Sequence, residues 1–223
     1  MSRIAVEDQR YVLVNIFKTT APHQQRLIDI WKGLGPADER SPGLVSVNAH
    51  VSFDGESVIS YIQWSSKTAW EEILSDPGRQ SRFKEVLTFS TFESIHCEVV
   101  FAQRGGAPGG PAIEIHEGQD YYVVVEVARV APDRQQELLD LVGKPNEVLA
   151  ATPGYVSHSV HRAFDGTAVV NYSQWESEAA YQAFQAGEKA RGARSSQPDA
   201  SALSTVERFA LRIDYITEAV DAP

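Results

Sequence analysis

Hydrogen-bond donors gather in one short stretch of this 223-residue chain, Val169-Val170-Asn171-Tyr172-Ser173-Gln174-Trp175 followed by Tyr181. Side chains alternate along a strand, so Asn171, Ser173 and Trp175 share one face, and Tyr181 lies about a turn and a half into the helix expected next. Asparagine is depleted in strands, and one placed among valines calls for an explanation. An amide, an indole N–H and a phenol around an apolar cavity could stabilise negative charge developing on a substrate oxygen, an effect much stronger in a dry site than in water. Asn171, Trp175 and Tyr181 are therefore the candidate catalytic set, with Ser173 beside them as a substrate contact. An imidazole ordinarily titrates near neutral pH, so His161 is a second candidate, either as a base near substrate or as a hydrogen-bonded structural imidazole. Trp64 repeats the position of Trp175 and is either a substrate contact or a core residue.

Most other catalytic signatures are missing. There is no phosphate loop, dinucleotide-binding glycine pattern, nucleophile elbow or His-Glu-x-x-His. Among the six histidines only His158 and His161 have a spacing worth testing for metal, and residues three apart on a strand point to opposite faces, so no metal site is expected. No cofactor is called for.

Composition narrows the partners. A net charge of −10 lacks the basic footprint that a phosphate backbone needs, so no nucleic-acid partner is expected, and an anionic membrane surface would repel the chain. No apolar run approaches the length that spans a bilayer, and the polar, acidic start does not read as a secretion signal. The single cysteine, Cys97, fits a reducing compartment. These features point to the cytoplasm.

The elements that must position the candidate residues come as a repeat. Phe53-Asp54-Gly55-Glu56-Ser57-Val58-Ile59-Ser60-Tyr61-Ile62-Gln63-Trp64 aligns with Phe164-Asp165-Gly166-Thr167-Ala168-Val169-Val170-Asn171-Tyr172-Ser173-Gln174-Trp175 at a constant offset of 111, with seven of twelve pairs identical. The same offset pairs Pro42-Gly43 with Pro153-Gly154 and His50 with His161. Each copy reads as strand, helix, strand, Asp-Gly hairpin, strand, helix, strand. The first strands are expected at 11–17 and 121–130, the second helices at 67–87 and 177–189, and the fourth strands at 92–101 and 205–216. Phe53 and Phe164, ahead of the hairpin turns, are expected in the core.

The order β-α-β-β-α-β, twice over, predicts an α+β fold of two ferredoxin-like units. Each sheet would carry its helices on one face and leave the other bare, and packing the bare faces together closes an intramolecular dimeric α+β barrel and removes its free edges. The expected boundaries are 1–102 for an N-terminal domain, 103–119 for a flexible Gly/Pro-rich linker and 120–223 for a C-terminal domain.

The stretch from Asp165 to Glu178 resembles the antibiotic biosynthesis monooxygenase family, in particular its small cofactor-independent enzymes that oxidise anthrones to quinones in aromatic polyketide pathways. The resemblance implies that Asn171, Trp175 and Tyr181 line the substrate pocket, that an arginine of the second helix, Arg191 or Arg194, contributes to substrate binding, and that the partners are an aromatic polyketide and molecular oxygen. It leaves room for a homodimer of the pseudo-dimeric chain. The first copy departs from the pattern, with Ser60 for the asparagine and Trp70 for the tyrosine, so its site reads as degenerate. Asn15 matches an asparagine of the family's haem-degrading branch, but the tryptophan and axial histidine of that branch are lacking. Two other functions remain open: a polyketide cyclase and a non-catalytic aromatic-ligand-binding accessory protein.

Overall fold

The structure, a computed structural model, describes residues 2–33, 41–106, 112–116, 118–192 and 200–218. The elements are β1 (Ser2–Ile4), β2 (Tyr11–Lys18), α1 (Ala21–Lys32), β3 (Leu44–Ser52), β4 (Ser57–Trp64), α2 (Lys67–Ile73), α3 (Pro77–Val86), β5 (Thr91–Arg104), β6 (Ile113–Ile115), β7 (Tyr122–Val130), α4 (Gln135–Val142), α5 (Glu147–Ala150), β8 (Tyr155–Ala163), β9 (Ala168–Trp175), α6 (Glu178–Gly192) and β10 (Ser204–Glu218). Short 3-10 turns at Val6–Asp8, Pro132–Arg134 and Ala200–Ala202 join them.

The main sheet closes on itself in the order β10-β3-β4-β2-β5-β8-β9-β7, antiparallel throughout. Each half supplies four consecutive strands. The halves are joined where β5 pairs with β8 and β10 pairs with β3. The long fourth strands thus do two jobs, completing their own sheet with one stretch and docking the other half with the rest. Full closure leaves the barrel with no free edge.

Alternation along the strands separates two environments. On β2, Val12, Val14 and Ile16 enter the barrel core, where they meet Val123, Val125, Val127, Tyr61 and Tyr172. Leu13 and Phe17 face outward beneath the helices. Both faces of these strands are buried, which is why β2 and β7 read as nearly continuous apolar runs. The first helix of each half is tied to its hairpin by a glutamine: Gln24 Nε2 donates to the carbonyls of Ser52 (3.0 Å) and Ser57 (2.9 Å), and Gln135 Nε2 to those of Ala163 (2.8 Å) and Ala168 (2.9 Å).

Three expectations are corrected. The single helix expected over 67–87 is two helices, because Pro77 cannot continue one; the Asp76 side chain accepts from the Arg79 N–H at 2.7 Å and starts α3. The segment 103–119 is not simply a linker. Gln103 and Arg104 extend β5, and β6 pairs with β1 so that Ile4, Ile113 and Ile115 are fully buried in the barrel core. Phe53 and Phe164 are half-exposed rather than buried, each stacking on the first-strand tyrosine of the other half: Phe53 on Tyr122 at 5.4 Å and Phe164 on Tyr11 at 5.4 Å between ring centroids.

Candidate active site

The sheet–helix face of the C-terminal half holds Asn171, Ser173, Trp175 and Tyr181 together, as strand periodicity requires. Their donors are engaged by the protein itself. Asn171 Nδ2 donates to Glu126 Oε2 (3.1 Å), and the Tyr181 hydroxyl lies 3.4 Å from Glu126 Oε1. Arg208 Nε donates to the same oxygen at 2.7 Å. The anion that these donors hold is a carboxylate of the protein, supplied by β7. The third expected donor is engaged elsewhere: Trp175 Nε1 donates to Ser173 Oγ (3.1 Å), and Ser173 Oγ donates to the Val124 carbonyl (3.3 Å). Ser173 therefore orients the indole.

Glu126 is the residue that sequence reasoning missed. Its signal was a carboxylate inside a run of valines, Val123 to Val127, directly opposite Asn171 in the β7–β9 register and opposite Arg208 in the β7–β10 register. The Asn171 Oδ1 atom is buried with no donor among the described residues, as follows once the amide nitrogen is committed to the carboxylate. Burial first, then the Glu126 charge, holds the Tyr181 phenol well above its ordinary range, so it stays protonated and donates. Gln185 Nε2 in turn donates to the Tyr181 oxygen at 2.9 Å. Around this polar centre stands an aromatic wall of Trp175, Tyr155, Tyr181 and Phe184, with ring centroids 5.0 to 5.4 Å from that of Trp175. Arg191 lies on α6, with its side chain outside the described residues, and Arg194 lies outside them altogether.

The expectation that His161 binds substrate does not hold. It is fully buried in the barrel interior, on the opposite side of the sheet from Asn171, with Nδ1 bonded to the Val170 carbonyl (3.2 Å) and Nε2 to the Tyr61 hydroxyl (2.9 Å). A ring N–H must donate to the carbonyl, so Nε2 accepts from the tyrosine. Desolvation pushes the imidazole down to about 4, leaving it neutral and fully satisfied. It is a structural group.

The N-terminal half repeats this geometry with different chemistry. Asn15 occupies the register position of Glu126, flanked by Ser60 where Asn171 stands and Ser94 where Arg208 stands. Asn15 Nδ2 donates to Ser60 Oγ (3.0 Å) and Ser94 Oγ to Asn15 Oδ1 (2.6 Å), a neutral chain in place of an ion pair. Above it lies a cavity of about 400 Å³, lined mainly by apolar and aromatic side chains including Leu13, Trp31, Ile62, Trp64, Trp70, Ile73, Phe83 and Phe92, with His96 on its wall. The break at Pro77 shapes this space, because residues of both α2 and α3 line it. Trp64, expected as a substrate contact, is part of this lining, and its indole N–H is enclosed without an acceptor among the described residues because Ile62 replaces Ser173. Among the described residues no cluster of three or more His, Cys, Asp or Glu side chains could hold a metal, and no helix is long and apolar enough to cross a membrane.

The family model for antibiotic biosynthesis monooxygenases matches residues 121–195, the span from β7 through α6 that carries Glu126, Asn171, Trp175 and Tyr181. Tetracenomycin-F1 monooxygenase of Streptomyces glaucescens is 42% identical over 115 residues, which cover 49% of this chain and 99% of that enzyme. The chain belongs to the antibiotic biosynthesis monooxygenase family. As a tandem member of that family it superimposes along its whole length on an anthrone oxidase-like protein, with a TM-score of 0.85, 26% identity and coverage of 99% of this chain and 98% of the other. A proposed monooxygenase of Fusobacterium nucleatum shares the fold at a TM-score of 0.63, covering 94% of both chains, although only 9% of residues are identical. The tetracenomycin-F1 enzyme matches about half of this family member and the anthrone oxidase-like protein nearly all of it, as expected for a duplicated unit compared once with a single copy and once with a pair.

Proposed function

We propose that this chain is a monooxygenase of aromatic polyketide biosynthesis that oxidises an anthrone-like substrate to a quinone with molecular oxygen and no cofactor, at the Glu126–Asn171–Tyr181 cluster of its C-terminal half. The kinship with tetracenomycin-F1 monooxygenase and the anthrone oxidase-like protein supports monooxygenase chemistry on such substrates. The single observation that carries the site is the convergence of Asn171, Tyr181 and Arg208 on the Glu126 carboxylate.

An anthrone methylene beside two rings and conjugated with the carbonyl is an acidic carbon. In this reading Glu126, paired with Arg208, takes one of its protons. Once protonated, Glu126 no longer requires the Asn171 amide and the Tyr181 hydroxyl, which become available to the oxyanion of the substrate. The delocalised carbanion passes one electron to oxygen; the resulting radical and superoxide combine at the same carbon, and the peroxide takes up a proton. Loss of water from that hydroperoxide, with the second methylene hydrogen, leaves the carbonyl. Anthrone and dioxygen give quinone and water, one oxygen atom going to each product. The substrate supplies the electrons, and the protein supplies proton transfer, orientation and charge stabilisation.

The test is incubation of the purified protein with an anthrone in air and under argon. Oxygen-dependent quinone, 14 mass units heavier than the anthrone, is expected. Absence of enzyme-accelerated quinone formation in air overturns the proposal, and a product with no added oxygen assigns cyclisation instead.

A further inference from the structure

We infer that the N-terminal half holds a second ligand site, distinct from the catalytic cluster, that binds a planar polycyclic phenol or quinone with an oxygen of the ligand on His96 Nε2. The inference goes beyond the catalytic reading of the C-terminal half and does not depend on it.

Four observations carry it. The cavity of about 400 Å³ is in the range of small-molecule sites, which bury a ligand against apolar walls and orient it with a few polar groups. Three of the chain's four tryptophans, Trp31, Trp64 and Trp70, line it, offering flat faces to a flat ligand. The polar floor is Asn15, Ser60 and Ser94, whose hydrogen bonds run along the chain of three; at the equivalent positions of the other half stand Glu126, Asn171 and Arg208. The floor itself is thus uncharged, and the charged side chains on the lining are Arg79 and Arg82 of α3.

His96 provides the directional contact. Its Nδ1 lies 2.7 Å from the Tyr11 hydroxyl, and its ring packs edge-on to Trp70 with centroids 4.6 Å apart, so the imidazole is fixed from two sides. Desolvation first, then the nearby Lys67 charge, lowers its proton affinity and keeps it neutral, while burial keeps the Tyr11 phenol protonated. The phenol O–H donates to Nδ1, which leaves the hydrogen on Nε2. That N–H forms no hydrogen bond among the described residues and belongs to a residue on the cavity wall. A quinone carbonyl or phenolic oxygen is the acceptor it lacks. The equivalent position in the other half is Ala210, opposite Val124, so this contact is special to the N-terminal site.

Calorimetric titration of the full chain with 1,8-dihydroxyanthraquinone tests the site by stoichiometry. Val47, half-buried on the cavity wall, gives a filling variant: Val47→Phe should remove one binding equivalent per chain with unchanged far-UV circular dichroism. His96→Ala should weaken that same equivalent roughly five-fold, the loss of one neutral hydrogen bond. A stoichiometry that Val47→Phe does not change overturns the proposal; if that variant fails to fold, an unaltered affinity in His96→Ala does so. Binding is read without turnover. Failure of the catalytic reading would show as missing quinone formation, whereas failure of this one would show as missing equivalents.

Discussion

His50 of the N-terminal half accepts a hydrogen bond from Tyr172 of the C-terminal half at 3.0 Å, and the exchange is returned by His161 and Tyr61 at 2.9 Å. The two pairs are related by the same offset of 111 that relates the sequences, and the rings of Tyr61 and Tyr172 meet between them tilted by 52°, with centroids 5.7 Å apart. Each imidazole is anchored from its own half by a carbonyl, Ile59 for His50 and Val170 for His161. The barrel interior is thus crossed by two reciprocal links, so neither half completes its buried hydrogen bonds alone.

These histidines set an acid limit on stability. In an unfolded chain an imidazole binds a proton near pH 6.5, but in the folded protein His50, His158 and His161 are pushed down to about 4 by desolvation. Protons therefore bind the unfolded state first. Stability is expected to fall as the pH drops from about 6.5 to about 4 and to level off below, with up to roughly 3 kcal/mol at stake per histidine. Thermal unfolding across that range checks this, and a melting temperature independent of pH between 6.5 and 4.5 would refute it.

Removing one hydroxyl from the crossed links leaves a buried acceptor without its donor. Tyr172→Phe is expected to cost about 1–3 kcal/mol, seen as a lower denaturation midpoint, and Tyr61→Phe a similar amount. The double variant should cost close to the sum only if the two tyrosines do not otherwise communicate. Their ring contact argues for a measurable coupling in a double-mutant cycle.

Glu126→Gln preserves shape and removes the charge. Under the proposed chemistry it should lower the rate of quinone formation by about 10²- to 10⁴-fold. Asn171→Ala should lower it by about 10²-fold through loss of an oxyanion donor. Rates within two-fold of the wild type in the Glu126 variant would show that the proton leaves by another route.

Gly154 follows Pro153 in the turn before β8 with φ +76°, and an added Cβ would stand 2.5 Å from that of Ala180 on α6. Gly154→Ala is expected to destabilise the fold by more than the roughly 1–2 kcal/mol of a left-handed residue alone, because α6 must also shift. Since α6 carries Tyr181, activity should decline in the same variant. Full activity together with an unchanged melting temperature would contradict the close approach.

Sequence periodicity and one internal repeat carried the architecture. The offset of 111 between the two hairpins, the Asp-Gly turns and the runs of β-branched residues are local or self-referential signals, legible without coordinates. They were sufficient for the two β-α-β-β-α-β units and the closed barrel, and for placing Asn171, Ser173 and Trp175 on one face. Three kinds of feature needed the tertiary structure. The partners of a buried polar group come from strands 45 to 100 residues away: Asn171 finds Glu126, and His161 finds Tyr61. No periodicity records which residue will stand opposite. The division of the long fourth strands between two sheets decided that the histidine–tyrosine links would cross. The large cavity formed in the half whose motif looked weaker, because a proline broke its second helix and small hydroxyl side chains replaced charged ones on its floor. A chain encodes its elements through nearest neighbours, but the volume left between elements and the charge that faces it depend on how distant segments meet.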